Sequence, residues 1–154
     1  MGDVLIVCYS RSGSSRKVAE GLRGKLGGEG ACDADFIEYA GKAQPGILKV
    51  LFQAVFRRTC GIEGDAHDAS AYRRVVVVTP VWAAGVSVPV RSYLKKHGGK
   101  IASYSLISVM EGNGAPERDA AAAAGKAPVN SAVFLSRDVK GGKIDYESLA
   151  VLAE

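Results

Sequence analysis

Four serines, an arginine and a glycine stand together at Ser10, Arg11, Ser12, Gly13, Ser14 and Ser15, directly after the apolar run of residues 3–9 (DVLIVCY). That places them between a buried strand and a helix start. Backbone N–H groups at a helix N-terminus have no intrahelical acceptor, and the helix dipole adds partial positive charge there. A phosphate in this loop accepts bonds from those amides and from the serine hydroxyls, and Gly13 lets the backbone approach closely. The simpler alternative is an N-cap by Ser14 or Ser15, which accounts for one serine and not for four.

Other phosphate chemistries fail on spacing. A nucleoside-triphosphate loop needs G-x-x-x-x-G-K-[ST], and Gly13 is followed by Ser14, Ser15 and Arg16. The G-x-G-x-x-G fingerprint fails because Arg11 and Ser15 flank Gly13 at two residues on either side. Cys8, just before the loop, raises the possibility of a phosphatase with a thiolate nucleophile and a Cys-x5-Arg loop. Ser14 occupies the place such an arginine would need, and Arg16 comes two residues late. Cys8 is therefore expected to be a buried strand residue.

A second chemistry-bearing stretch is Thr79, Pro80, Val81, Trp82, Ala83, Ala84 and Gly85, which holds the only tryptophan of the chain. A flat aromatic ligand needs an apolar or aromatic wall and backbone amides for its polar edge. Trp82 can supply the wall and residues 83–85 the amides; alternatively Trp82 folds back into the core. A third loop, Glu111, Gly112, Asn113 and Gly114, carries no aromatic residue, and Asn113 either meets a ligand or simply turns the chain.

The elements that must position these loops alternate along the chain. Strands are expected at residues 3–9, 35–39, 74–79 (RVVVVT), 104–110 and 131–136. Helices are expected from Val18 to Leu26, from Pro45 with Ile47, Leu48, Leu51 and Val55 on one face, from Pro89 with Val90, Tyr93, Leu94 and His97, over residues 116–125, and over residues 146–153. Residues 59–72 and 80–87 read as loops. This order predicts an α/β fold, a doubly wound parallel sheet with helices on both faces. Ligands in such sheets bind beyond the carboxyl ends of the strands, where strand order reverses. The three stretches above all fall at that end.

Composition sets the remaining bounds. A chain of 154 residues, 47% hydrophobic and 23% charged, fits one globular domain. No secretory pattern and no stretch near 18 apolar residues is present, so the expected location is cytoplasmic, with no membrane span. Cys8, Cys32 and Cys60 form neither a disulfide framework nor a metal-ligand pair. The net charge of +4 is spread as Arg57-Arg58, Arg73-Arg74 and Lys95-Lys96 at element ends, which reads as solvated surface and not as a nucleic-acid patch.

The segment VLIVCYSRSGSSRKVAEGL resembles the phosphate-binding segment of flavodoxins, with Ser10, Ser12, Gly13 and Ser15 at the positions of its [ST]-x-[ST]-G-x-[ST] loop. VVVVTPVWAAGVSVPVRSYL is similar to the third strand, flavin loop and next helix of short bacterial members of that family. The resemblance implies a five-stranded sheet in the order 2-1-3-4-5 and noncovalent flavin mononucleotide (FMN). It implies that the 10–15 loop holds the phosphate, and that Val81, Trp82, Ala83, Ala84 and Gly85, preceded by Pro80, line the ring. Glu111, Gly112 and Asn113 would lie on the other side of the ring. The expected role is redox chemistry with a partner protein or NAD(P)H. The alternatives are an NAD(P)H-dependent quinone or FMN reductase on the same fold, and an interaction domain that no longer binds flavin. The sequence departs from electron-carrying members in its basic charge, its aromatic-free third loop and its short final helix.

Overall fold

A strand covered on both faces needs apolar, preferably β-branched residues at every position. Residues 4–8 and 75–78 meet that demand and are buried in the computed structural model, which describes residues 2–41 and 43–154. The strands are β1 (Val4–Cys8), β2 (Cys32–Phe36), β3 (Glu38–Tyr39), β4 (Ile62–Glu63), β5 (Arg74–Trp82), β6 (Gly85–Val86), β7 (Tyr104–Met110) and β8 (Asn130–Leu135). The helices are α1 (Ser14–Lys25), α2 (Ile47–Val55), α3 (Val88–His97), α4 (Pro116–Ala124), α5 (Ser136–Lys140) and α6 (Tyr146–Ala150). Five parallel strands lie in the order β2-β1-β5-β7-β8, the expected 2-1-3-4-5 arrangement. Strand order therefore reverses between β1 and β5, and the loops that follow them open at one point.

Each sheet face has its own core. Ile6, Val76, Val78 and Ile107 pack under Val18 and Leu22 of α1, with Val139 of α5 and Leu149 of α6. Leu5, Val7, Val75, Val77 and Leu106 pack on the other face under Val90, Tyr93 and Leu94 of α3 and Ala120 and Ala124 of α4. Each fully buried valine contributes about 1.5–3 kcal/mol of transfer free energy. The final helix is short, as read, and continues as a single 3₁₀ turn (Val151–Ala153). Edge strand β8 leaves Val133 exposed.

Several expectations are corrected. The second strand is Cys32–Phe36, three residues earlier than expected, with Cys8 opposite Phe36. Asp33 disguises its start. Asp33 accepts bonds from the Tyr72 hydroxyl (2.7 Å) and the Gly2 amide (3.2 Å), and Asp35 from the backbone N–H of His67 (3.1 Å). Paired this way, polar residues can occupy a strand. Residues 59–72 are not wholly irregular, because β4 pairs antiparallel with β3 and residues 69–71 form a 3₁₀ turn. The 80–87 stretch is a hairpin and not a loop: β5 runs on through Trp82, and β6 pairs back onto it. The fifth strand ends at Leu135, and Ser136 opens the unexpected α5.

Helix α2 departs furthest from expectation. The face bearing Ile47, Leu48, Leu51 and Val55 reads as core-facing, yet all four are exposed, together with Phe52 and Phe56. The buried residues of α2 are Val50 and Ala54. Two small apolar side chains satisfy the shallow contact with the underlying elements, and the larger stripe points away.

Candidate functional site

The loop after β1 is shaped by Gly13. It caps α1 with φ 98°, a conformation that side-chain-bearing residues rarely adopt, and its N–H donates to Ser10 Oγ at 3.0 Å. No side chain caps α1, and its first turn holds no acidic residue. The alternative of a capping Ser14 or Ser15 is thereby corrected: the amides at this helix start keep their bonding capacity. Space opens beside Gly13, since an added Cβ would meet nothing within 4 Å among the described residues. Gly13 is thus needed for its backbone angle and not for tight packing. Ser14 and Ser15 are buried, and Ser14 Oγ lies 3.3 Å from Ser136 Oγ at the end of β8. Arg11 reaches the Pro45 carbonyl at 3.5 Å, just before α2.

The hairpin after β5 forms the opposite wall. Its two-residue turn is Ala83 (φ 47°) and Ala84 (φ 63°), both left-handed, where a turn of this kind favours Asn-Gly. An alanine held there is strained by about 1–2 kcal/mol. The surroundings hold it in place. Ala115 donates to the Ala84 carbonyl at 3.1 Å, and Ser87 donates from its N–H to Thr79 Oγ1 at 3.0 Å. Gly114 sits so close that a Cβ would lie 3.0 Å from Ala84 Cα, a tight contact that favours glycine where the third loop meets the hairpin.

Beneath the hairpin lies an ion-paired network that sequence reading missed. Arg91 of α3, only 2% exposed, donates from Nη2 to Asp119 Oδ2 (2.7 Å) and from Nε to Asp119 Oδ1 (3.2 Å). It also donates to the carbonyls of Val86 (3.1 Å) and Arg58 (2.9 Å). Asp119 of α4 accepts in addition from the Val86 N–H at 2.9 Å. Two side chains thus tie α3, α4, the hairpin and the residues after α2 together. A Cβ on Gly85 would fall against Arg57 Nη1 and 2.4 Å from Asp119 Oδ2, so a side chain here would displace Arg57 and disturb the Asp119 bonds. The sequence signal that could have found it is Arg91 standing among Val88, Pro89, Val90, Tyr93 and Leu94 in the first part of α3.

Trp82 has contacts on two sides. It packs edge-on against Tyr9, with ring centroids 5.5 Å apart at 83°, and it also lines the cleft. Tyr9 is held in turn edge-on by Tyr39 at 5.8 Å. This aromatic support is a second feature that the sequence did not reveal, because the three residues are far apart in the chain.

These walls enclose a cleft of about 700 Å³, within the range of small-molecule sites. From the first loop it gathers Ser10, Arg11, Ser12, Ser14 and Ser15. From the hairpin it gathers Pro80, Val81, Trp82, Ala83 and Ala84, and from the third loop Glu111, Gly112 and Asn113. Gly13 and Gly85 shape these walls without lining them. Val109, Met110 and Ser136 line the cleft unanticipated. The donor set suits a phosphate: four serine hydroxyls, an uncapped helix start, one arginine and no carboxylate in that helix turn. The Trp82 side suits a flat ring.

Cys8 takes no part in this cleft. It is buried in the α1-side core, and burial pushes its thiol up to about 12. A thiol of that kind stays protonated and is not a nucleophile at neutral pH, which completes the case against phosphatase chemistry.

No family model matches the sequence, and no curated protein does. Among solved structures, a flavoprotein from Lactobacillus acidophilus NCFM in complex with FMN is 18% identical, with a TM-score of 0.72 over 94% of this chain and 100% of that one. The Trp repressor binding protein from Bacillus subtilis is 10% identical, with a TM-score of 0.55 over 98% and 99% of the two chains. A flavodoxin from the domain Archaea is 12% identical, with a TM-score of 0.52 over 96% of each chain. Sheet order, cleft position and these likenesses agree that the chain has the flavodoxin-like fold.

Proposed function

We propose that the chain binds FMN in this cleft and serves as a flavin-dependent redox protein. The observation that carries the reading is the uncapped, carboxylate-free start of α1, ringed by four serine hydroxyls, in the same cleft as the Trp82 hairpin. The Lactobacillus flavoprotein, whose complex holds FMN, shares the sheet that places these loops. Ser10, Ser12, Ser14, Ser15 and the first-turn amides of α1 would hold the phosphate, and Arg11 would add charge. Trp82 would wall the ring, while backbone amides of the hairpin and of residues 111–113 bond its polar edge. Glu111, on the rim, would disfavour added negative charge on the ring. FMN would supply reversible transfer of one or two electrons; the chain binds it, orients it and limits water at one face.

A second reading, reduction by NAD(P)H, is favoured by the surface beside the cleft. Arg137 and Lys140 border a smaller hollow of about 290 Å³ with Met110, Glu111, Leu135 and Ser136. Two cations next to the ring site suit an anionic nucleotide, and the basic net charge does not suit a carrier that docks through an acidic surface.

Titration with FMN tests the first reading. Shifted visible bands and quenched fluorescence are expected, and Trp82→Ala should restore part of that fluorescence. Absence of binding at micromolar FMN leaves an interaction domain instead. Anaerobic NADPH then separates the two redox readings: bleaching of the bound flavin marks a reductase, and an unchanged spectrum marks a carrier.

A further inference from the structure

Six large apolar side chains of α2 and its end, Ile47, Leu48, Leu51, Phe52, Val55 and Phe56, are each about half exposed or more, and Leu48 reaches 81%. Phe52 and Phe56 stack on each other with ring centroids 4.7 Å apart. A contiguous patch of this kind marks an interaction surface. Its charge environment is one-sided. Residues 39–62 contain no aspartate or glutamate, while Lys49, Arg57 and Arg58 flank the patch and are themselves exposed.

We infer that this face of α2 docks on an anionic lipid surface, lying in the plane of the interface with its apolar stripe among the acyl chains. Helices that do this combine a bulky apolar face, a cationic rim and no acidic residue. Here the helix is held to the body of the protein by Val50 and Ala54, so the stripe is presented without unfolding anything. Charge decides against a second copy as the occupant. Two such faces pressed together would set Lys49 and Arg58 against their own kind, with no carboxylate among residues 39–62 to pair them, while Arg57 already has Asp119 at 3.7 Å. Anionic headgroups match the rim, and acyl chains match the stripe.

The face is continuous with the cleft. Before α2, the Pro45 carbonyl accepts from Arg11 of the serine loop; after it, Arg57 lies 3.7 Å from Asp119 and against Gly85 of the hairpin. Docking through α2 would therefore bring the cleft to the interface, where an apolar electron acceptor dissolved in the lipid becomes accessible.

The experiment is co-sedimentation of the full chain with vesicles of phosphatidylcholine alone or mixed with phosphatidylglycerol, with and without added FMN. The vesicle result is independent of flavin binding, so failure of either reading is seen separately. Pelleting with the anionic vesicles and release by high salt are expected. Leu48→Gln combined with Phe52→Gln should weaken partitioning by about tenfold or more. Lys49→Gln combined with Arg58→Gln, which leaves the apolar stripe intact, should weaken it by roughly tenfold. Unchanged circular dichroism melting of both exposed-site variants shows that the fold is kept. No pelleting with anionic vesicles overturns the inference, as does equal pelleting of the wild type and the Leu48/Phe52 variant. So does a concentration-dependent dimer that Leu48→Gln dissolves, which would assign the face to a second copy.

Discussion

The two walls of the cleft are built by opposite means. The serine loop is made from neighbours in sequence: Gly13 turns the backbone, Ser10 accepts its N–H three residues away, and α1 begins at once. The Trp82 hairpin is made from distant parts of the chain. Arg91 and Asp119 hold it from below, Gly114 and Ala115 meet its tip, and Tyr9 backs its tryptophan. One wall is mostly local, with Ser14 against Ser136 and Arg11 against the Pro45 carbonyl as its distant contacts. The other is strained at Ala83 and Ala84 and persists because tertiary contacts over-determine it. Substitutions in the first wall should therefore act on ligand binding, and those in the second on stability as well.

The largest effect is expected from Asp119→Ala, which leaves the buried Arg91 guanidinium without its carboxylate. Breaking one side of such a pair costs about 3–5 kcal/mol, read as a lower midpoint of urea unfolding. FMN affinity should fall with it, because Val86 and the hairpin lose their anchor. A variant with unchanged stability would show that the second wall does not depend on this network.

Gly13→Val comes next and should cost less stability than Asp119→Ala but more ligand affinity for each unit of stability lost. The positive φ penalises the substitution by about 1–2 kcal/mol of stability. Loss of two charge-assisted bonds to a phosphate, at about 1.5 kcal/mol each, predicts roughly a hundredfold weaker FMN binding by fluorescence titration. Full affinity in this variant would remove the phosphate from the serine loop.

Ala84→Gly should act in the opposite direction. Glycine relieves the left-handed strain at the hairpin tip and is expected to raise stability by up to about 1 kcal/mol in thermal unfolding. A neutral or destabilised variant would mean that the turn carries no strain.

The smallest effect concerns acid. The Tyr72 hydroxyl bond, opposed by burial and aided by the Gly2 amide, holds Asp33 below its ordinary 3.8. With the folded value lower than the unfolded one, the unfolded chain binds more protons as pH falls. The contribution of Asp33 is full above about pH 4 and is lost as pH drops through its folded value. Tyr72→Phe should flatten that part of the stability profile, while the serine loop, with no carboxylate in the first turn of α1, should not contribute to it. A profile unchanged by Tyr72→Phe would break the assignment.

What could be read in the sequence follows the same division. The order of elements, the valine-rich strands and the serine loop were legible because each signal lies within a few consecutive residues. The buried faces of α1 and α3 were also legible, since their apolar periodicity agrees with the packing. For α2 the same periodicity located the stripe but not its direction. A stripe of Ile47, Leu48, Leu51 and Val55 is equally consistent with core and with docking surface, and only the position of neighbouring elements decides. The start of strand β2 is not legible because Asp33 looks unsuited to a sheet until the Tyr72 hydroxyl is brought to it.

By itself, then, the sequence determined a doubly wound chain with a phosphate-suited loop after its first strand, because helix starts, strand burial and glycine turns are set by local chemistry. The tertiary structure decided where the second wall stands and why little room is left for a side chain at Gly85 and Gly114. It also turned the apolar face of α2 outward. Those features depend on residues tens of positions apart meeting at distances of a few ångströms, and no local pattern encodes such a meeting.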